Sequence, residues 1–157
     1  MRRNRCLFIV GMVLFIALAG LVASAGAKPG TTVGLRIGYY VDAEKVFLGG
    51  EFLTPIAKSI YFNPNVEYVF ADNVTYMTFN GDFHYDFPSR TPRFVWLGAG
   101  LAGLYLNPDG PADGDTDLGL NLLAGVGLGH GDVIPYFQGK VILADNTEFV
   151  VGFGLRF

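Results

Sequence analysis

After Lys28 the chain alternates apolar and polar positions with a period of two, the spacing of strands with one apolar and one polar face. Val33, Leu35, Ile37, Tyr39 and Val41 alternate with Gly34, Arg36, Gly38 and Tyr40. A second segment sets Val46, Leu48, Gly50 and Phe52 against Phe47, Gly49, Glu51 and Leu53. A third sets Phe62, Pro64, Val66, Tyr68 and Phe70 against Asn63, Asn65, Glu67 and Val69. In the fourth, Met77, Phe79, Gly81, Phe83, Tyr85 and Phe87 face away from Thr78, Asn80, Asp82, His84 and Asp86. The fifth, Phe94 to Tyr105, is apolar or glycine on both faces and does not declare its orientation. The sixth sets Leu118, Leu120, Leu122, Ala124, Val126 and Leu128 against Gly119, Asn121, Leu123, Gly125 and Gly127. The seventh sets Pro135, Phe137, Gly139, Val141 and Leu143 against Tyr136, Gln138 and Lys140. The last sets Phe149, Val151, Phe153, Leu155 and Phe157 against Glu148, Val150, Gly152, Gly154 and Arg156.

Turn residues separate the runs at Asp42–Glu44, Thr54–Ser59, Asp72–Asn73, Pro88–Pro92, Asn107–Asp117, Gly129–Asp132 and Asp145–Asn146. The pattern predicts an all-β chain of eight strands, each of roughly ten residues, the length that crosses a bilayer when tilted. Connections this short make neighbours antiparallel, and the natural closure is an up-and-down barrel. Pro64 and Pro135 fall near the start of the third and seventh strands, where a missing donor is tolerated.

Alternation alone fits a membrane barrel with its apolar face outward or a soluble lipocalin-like carrier with that face inward. The polar face decides for the first. It interleaves charges of both signs with glycine, asparagine and glutamine, as a confined polar interior does. The apolar face of the seven readable strands carries no charge, and its aromatic residues gather near strand ends, as interfacial girdles require.

The first residues add an address. Arg2, Arg3 and Arg5 precede an uncharged run from Cys6 to Ala27, the plan of a secretory signal peptide. Small residues offer two cleavage sites, Ala23-Ser24-Ala25 and Ala25-Gly26-Ala27. A retained anchor is the alternative, since the run is about long enough to span a membrane. Its most apolar part is short and ends in small residues, which favours cleavage. The expected division is residues 1–27 as signal peptide and 28–157 as barrel.

Composition then removes whole classes. Of 157 residues, 51% are hydrophobic and 16% charged, so the chain is not a disordered polyelectrolyte. Eleven basic against 14 acidic residues leave no basic footprint for nucleic acid. A single cysteine excludes a disulfide scaffold.

Val150-Val151-Gly152-Phe153-Gly154-Leu155-Arg156-Phe157 resembles the signal by which the bacterial outer-membrane assembly machinery recognises its clients, through Gly152, Phe153, Leu155 and the terminal Phe157. Val150 stands where that signal opens with a polar residue. With eight strands and a signal peptide, the chain resembles small outer-membrane barrels of the OmpA-transmembrane-domain, OmpX or OmpW type. The resemblance implies a bacterial outer-membrane location, both termini in the periplasm and Asn107–Asp117 as the one substantial external loop. It implies outer-membrane lipid and the assembly machinery as partners, and a monomer.

The expected role is structural or interactive, with no cofactor and no catalysis. Arg36, Glu51, Glu67, Asp82, His84, Asp86, Lys140, Glu148 and Arg156 form the expected interior polar network, whose ion pairs pin the register. Eight strands leave a lumen barely wide enough for side chains, so no general diffusion pore is expected. The inward glycines of the first, sixth and eighth strands are expected to open small water pockets.

Two patterns carry possible chemistry. His84 and Asp86, with Asp82 alongside, suit a general base oriented by a carboxylate, and some outer-membrane barrels modify lipid A with a histidine and a serine or acidic partner. No serine lies in this strand, and His84 faces inward near the Pro88 end, so an interior network is the reading kept. Asp113, Asp115 and Asp117, with Asp109 nearby, match the first half of a calcium loop. Leu118 and Ala124 stand where that loop needs glycine and glutamate, so no metal site is expected. An alternative function is an OmpW-like conduit for small hydrophobic molecules, with Leu53, Trp96 and Leu123 lining its pocket.

Overall fold

The computed structural model describes residues 30–109, 114–129 and 131–157. The expected signal peptide, residues 1–27, lies outside the described residues, as does Asp113. Thr32–Phe157 form one compact unit. Its strands are β1 (Thr32–Tyr40), β2 (Lys45–Ala57), β3 (Ile60–Val69), β4 (Val74–Asp86), β5 (Arg93–Pro108), β6 (Asp115–Leu128), β7 (Ile134–Leu143) and β8 (Glu148–Arg156). They pair in sequence order, all antiparallel, and β8 returns to β1 to close the barrel.

The alternation places side chains as expected. Leu35, Leu101 and Leu118 are 60%, 65% and 79% exposed on the outside, whereas Arg36, Glu67 and Asp82 are buried inside. A soluble carrier would need the reverse, and the charges would then be wet. β5, unreadable from sequence, turns Trp96, Ala102 and Leu104 inward and Val95, Leu97 and Leu101 outward. Ring contacts link neighbouring strands on the outer face, among them Phe62 with Phe83 at 4.9 Å and Phe137 with Phe153 at 5.1 Å.

Two boundaries differ from the sequence reading. Thr54 to Ala57 continue β2 through a bulge near Pro55, so only Lys58 and Ser59 connect to β3, with Ser59 at φ 61°. Both ends of Asn107–Asp117 are strand: β5 runs to Pro108, β6 starts at Asp115, and the ladder pairs Leu106 with Asp115. The expected external loop shrinks because two paired strands satisfy each other's backbone groups whatever their side chains.

Inside, three layers stack along the axis. At the end of the β1–β2 and β3–β4 turns lies an apolar plug of Tyr40, Phe47, Val69, Tyr76, Ala102, Leu104, Ile142 and Val150. At the other end, Trp96, Leu123 and Tyr136 pack with Phe94. Arg36, Glu51, Glu67, Asp82 and Lys140 occupy the space between.

Candidate functional site

The centre of the barrel is a ladder of alternating charge. Arg156 donates Nε to Glu51 at 2.7 Å, and Arg36 bridges Glu51 at 3.3 Å and Glu67. Lys140 Nζ completes it with both oxygens of Glu67 at 3.0 Å. Glu67 also accepts from Tyr40 and from Thr78 at 3.0 Å. Since β3 and β7 stand four strands apart in a ring of eight, the Lys140–Glu67 pair crosses the lumen.

Asp82 stands outside the ladder. Asn65 and Asn121 donate to its two oxygens at 2.9 and 2.7 Å, and Asn121 also reaches Asn80 at 2.9 Å. Apart from Glu148 at the rim, the buried carboxylates Glu51, Glu67 and Asp82 balance the three buried cations Arg36, Lys140 and Arg156 among the described residues. Such groups are tolerable without water only when paired and hydrogen-bonded. Between Arg36, Phe47, Tyr136, Gln138, Lys140 and Gly152 lies a void of about 10 Å³, room for about one water molecule.

Most inward glycines are seats for side chains, and of those on β1, β6 and β8 it is Gly152 that borders the water-sized void. A Cβ on Gly125 would collide with Trp96, on Gly127 with Phe94, and on Gly154 with Tyr136. Large rings thus lie flat across neighbouring strands and fill the end of the barrel. Arg156 sits among them, its guanidinium carbon 4.2 Å from the Tyr136 ring centre and 4.9 Å from that of Trp96, which adds cation–π attraction to its ion pair. Trp96 and Leu123 meet as the conduit alternative required, but in this filled cluster, and Leu53 is not part of it.

His84 and Asp86 come together, with Nδ1 2.9 Å from Asp86 Oδ1. The imidazole is buried, stacks on Tyr61 at 5.6 Å and touches Trp96 at 5.5 Å. Asp82 does not join them. Ser59 and Ser89 lie outside the strands, and the Ser59 carbonyl oxygen accepts the Asp86 N–H at 2.9 Å at the end of β4.

Glu148 leaves the expected network. It sits at the rim and accepts from the backbone N–H groups of Asp42 and Ala43 at 2.8 and 3.1 Å, closing the β1–β2 turn. Its inward register was readable; its distance from the central cations was not. Asp115 and Asp117 begin β6 and accept the backbone N–H of the following residue at 2.8 and 2.7 Å. No group of metal-binding side chains occurs among the described residues. The sequence places Asn63, Asn65, Asn80 and Asn121 on the polar face, but their pairing, and the roles of Tyr40 and Thr78, come from the structure. Period two itself puts all of them on the face of the charges.

No family model matches the chain, and no curated protein matches it. Two solved structures share its fold. The crystal structure of Neisserial surface protein A (NspA) aligns with TM-score 0.59 at 14% identity, covering 80% of this chain and 92% of that one. A de novo designed transmembrane β-barrel aligns with TM-score 0.57 at 11% identity, covering 83% and 98%.

Proposed function

We propose that this chain is a small bacterial outer-membrane barrel with a structural or surface-interaction role and no diffusion pore. The observation that carries the reading is the Lys140–Glu67 pair across the lumen, inside a wall whose outer face is apolar. A wall that buries charge and exposes leucine and phenylalanine suits hydrocarbon as solvent. The shared fold with NspA and with designed transmembrane barrels supports the same setting. In this reading Gly152, Phe153, Leu155 and Phe157 deliver the chain to the assembly machinery, the barrel is a monomer, and His84 serves packing.

The test combines outer-membrane fractionation, gel mobility of boiled and unboiled samples, and conductance in planar bilayers. The expected protein is membrane-bound and heat-modifiable and carries no steady current. Recovery from the soluble periplasm would sink the reading, and a stable channel would sink the closed lumen. His84→Ala is expected to leave the lipid A composition of expressing cells unchanged; an altered acyl pattern would make the barrel an enzyme.

A further inference from the structure

We propose that the outer face of β5–β8 holds one anionic glycerophospholipid of the inner leaflet, an acyl chain in a groove and the phosphate on Arg93. The proposal rests on the membrane-barrel reading above.

Leu97, Ala124, Gly139 and Val151 are successive register partners across β5, β6, β7 and β8. The row on one side is Ala99, Leu122, Val141 and Phe149, and that on the other is Val95, Val126, Phe137 and Phe153. Ala124 and Gly139 therefore sink the middle of an otherwise bulky surface, and a Cβ on Gly139 would meet nothing within 4 Å. The resulting groove opens on the outer face with a volume of about 650 Å³, and Phe87 and Val95 extend it toward the β4–β5 turn. Its lining is almost wholly apolar, so its occupant is hydrocarbon.

Charge selects which hydrocarbon. Among the outward positions of all the strands, Arg93 alone carries a charge. It is exposed, on the same face as Val95 and Leu97, at the barrel end where β1 begins and β8 ends. It lies two steps along the strand from Val95, roughly 7 Å, the distance from acyl chain to headgroup. Among the described residues neither Arg93 nor Arg90, in the adjoining turn, pairs with a carboxylate. A free guanidinium at headgroup depth receives a phosphate through two parallel N–H donors. A second copy docked on this face would bring another Arg93 and no counter-charge, so lipid is the better complement.

Native mass spectrometry of the detergent-purified barrel, titrated with phosphatidylglycerol or phosphatidylcholine, reads the site. The wild type is expected to keep one phosphatidylglycerol in preference to phosphatidylcholine. R93Q should lose that preference by roughly fivefold, the weight of one surface cation on an anionic lipid. G139L fills the groove and should lose both lipids, while L118A, near the opposite rim, should behave as wild type. Equal retention of both lipids by the wild type, or full retention by G139L, overturns the proposal. So does a dimer that forms without lipid and that G139L abolishes. Heat-modifiable mobility in every variant separates these results from misfolding. A protein soluble without detergent would fail the membrane-barrel reading itself, and the site with it.

Discussion

Glu67 receives Arg36, Lys140, Tyr40 and Thr78 in the dry centre of the barrel, so neutralising it strands cations rather than deleting one contact. E67Q leaves Lys140 without a carboxylate and is expected to destabilise the barrel by about 3–5 kcal/mol. Urea unfolding in micelles, followed by the fluorescence of the single tryptophan, Trp96, measures it. Adding K140M should recover part of the loss; a double variant as unstable as E67Q would mean that the pair is not coupled. Glycines offer a cleaner contrast. G125A drives a methyl into the Trp96 ring and should lose about 1–3 kcal/mol with a shift in emission. G139A meets open space and should stay within about 0.5 kcal/mol of wild type.

Strands were legible where their two faces differ. A shift of one residue would send every apolar side chain of β1 or β8 into the lumen, so facing followed from Val33–Val41 and Phe149–Phe157 without any contact being known. β5 lacked that contrast, and its facing is set by its register with β4 and β6. Ladder ends were less legible, because hydrogen bonding between backbones carries Asn107, Pro108 and Asp115 into strand despite their turn-like chemistry. Which acid meets which base was not legible at all: Glu148 and Glu51 share an inward register, yet only Glu51 lies level with Arg36 and Arg156.

The turns add small terms of their own. At the β1–β2 and β3–β4 rim, hydrogen bonding to the Lys45 ammonium at 2.7 Å holds the Asp72 carboxyl below its ordinary value of 3.8. A carboxyl lowered on folding stabilises above its unfolded value, and that contribution fades as pH falls through the folded one. Asp72 is exposed, so the effect is slight and weakens with salt. K45Q should raise the Asp72 midpoint toward 3.8 in a carboxyl NMR titration; an unmoved midpoint would show that the pair is absent in solution.

The whole molecule is a ring whose last strand meets its first. Arg156 finds Glu51 across 105 residues, and Lys140 finds Glu67 across 73. Neither contact can form in a half-made sheet, and in the proposed membrane setting each unpaired Lys or Arg at mid-depth would cost about 2–4 kcal/mol. A chain ending before Glu148 should therefore stay protease-sensitive and lack heat-modifiable mobility; a protected seven-strand species would contradict this. Closure and neutralisation therefore coincide at Glu51: its partner Arg156 arrives only with the last strand, so a ring that has not closed leaves that carboxylate one cation short.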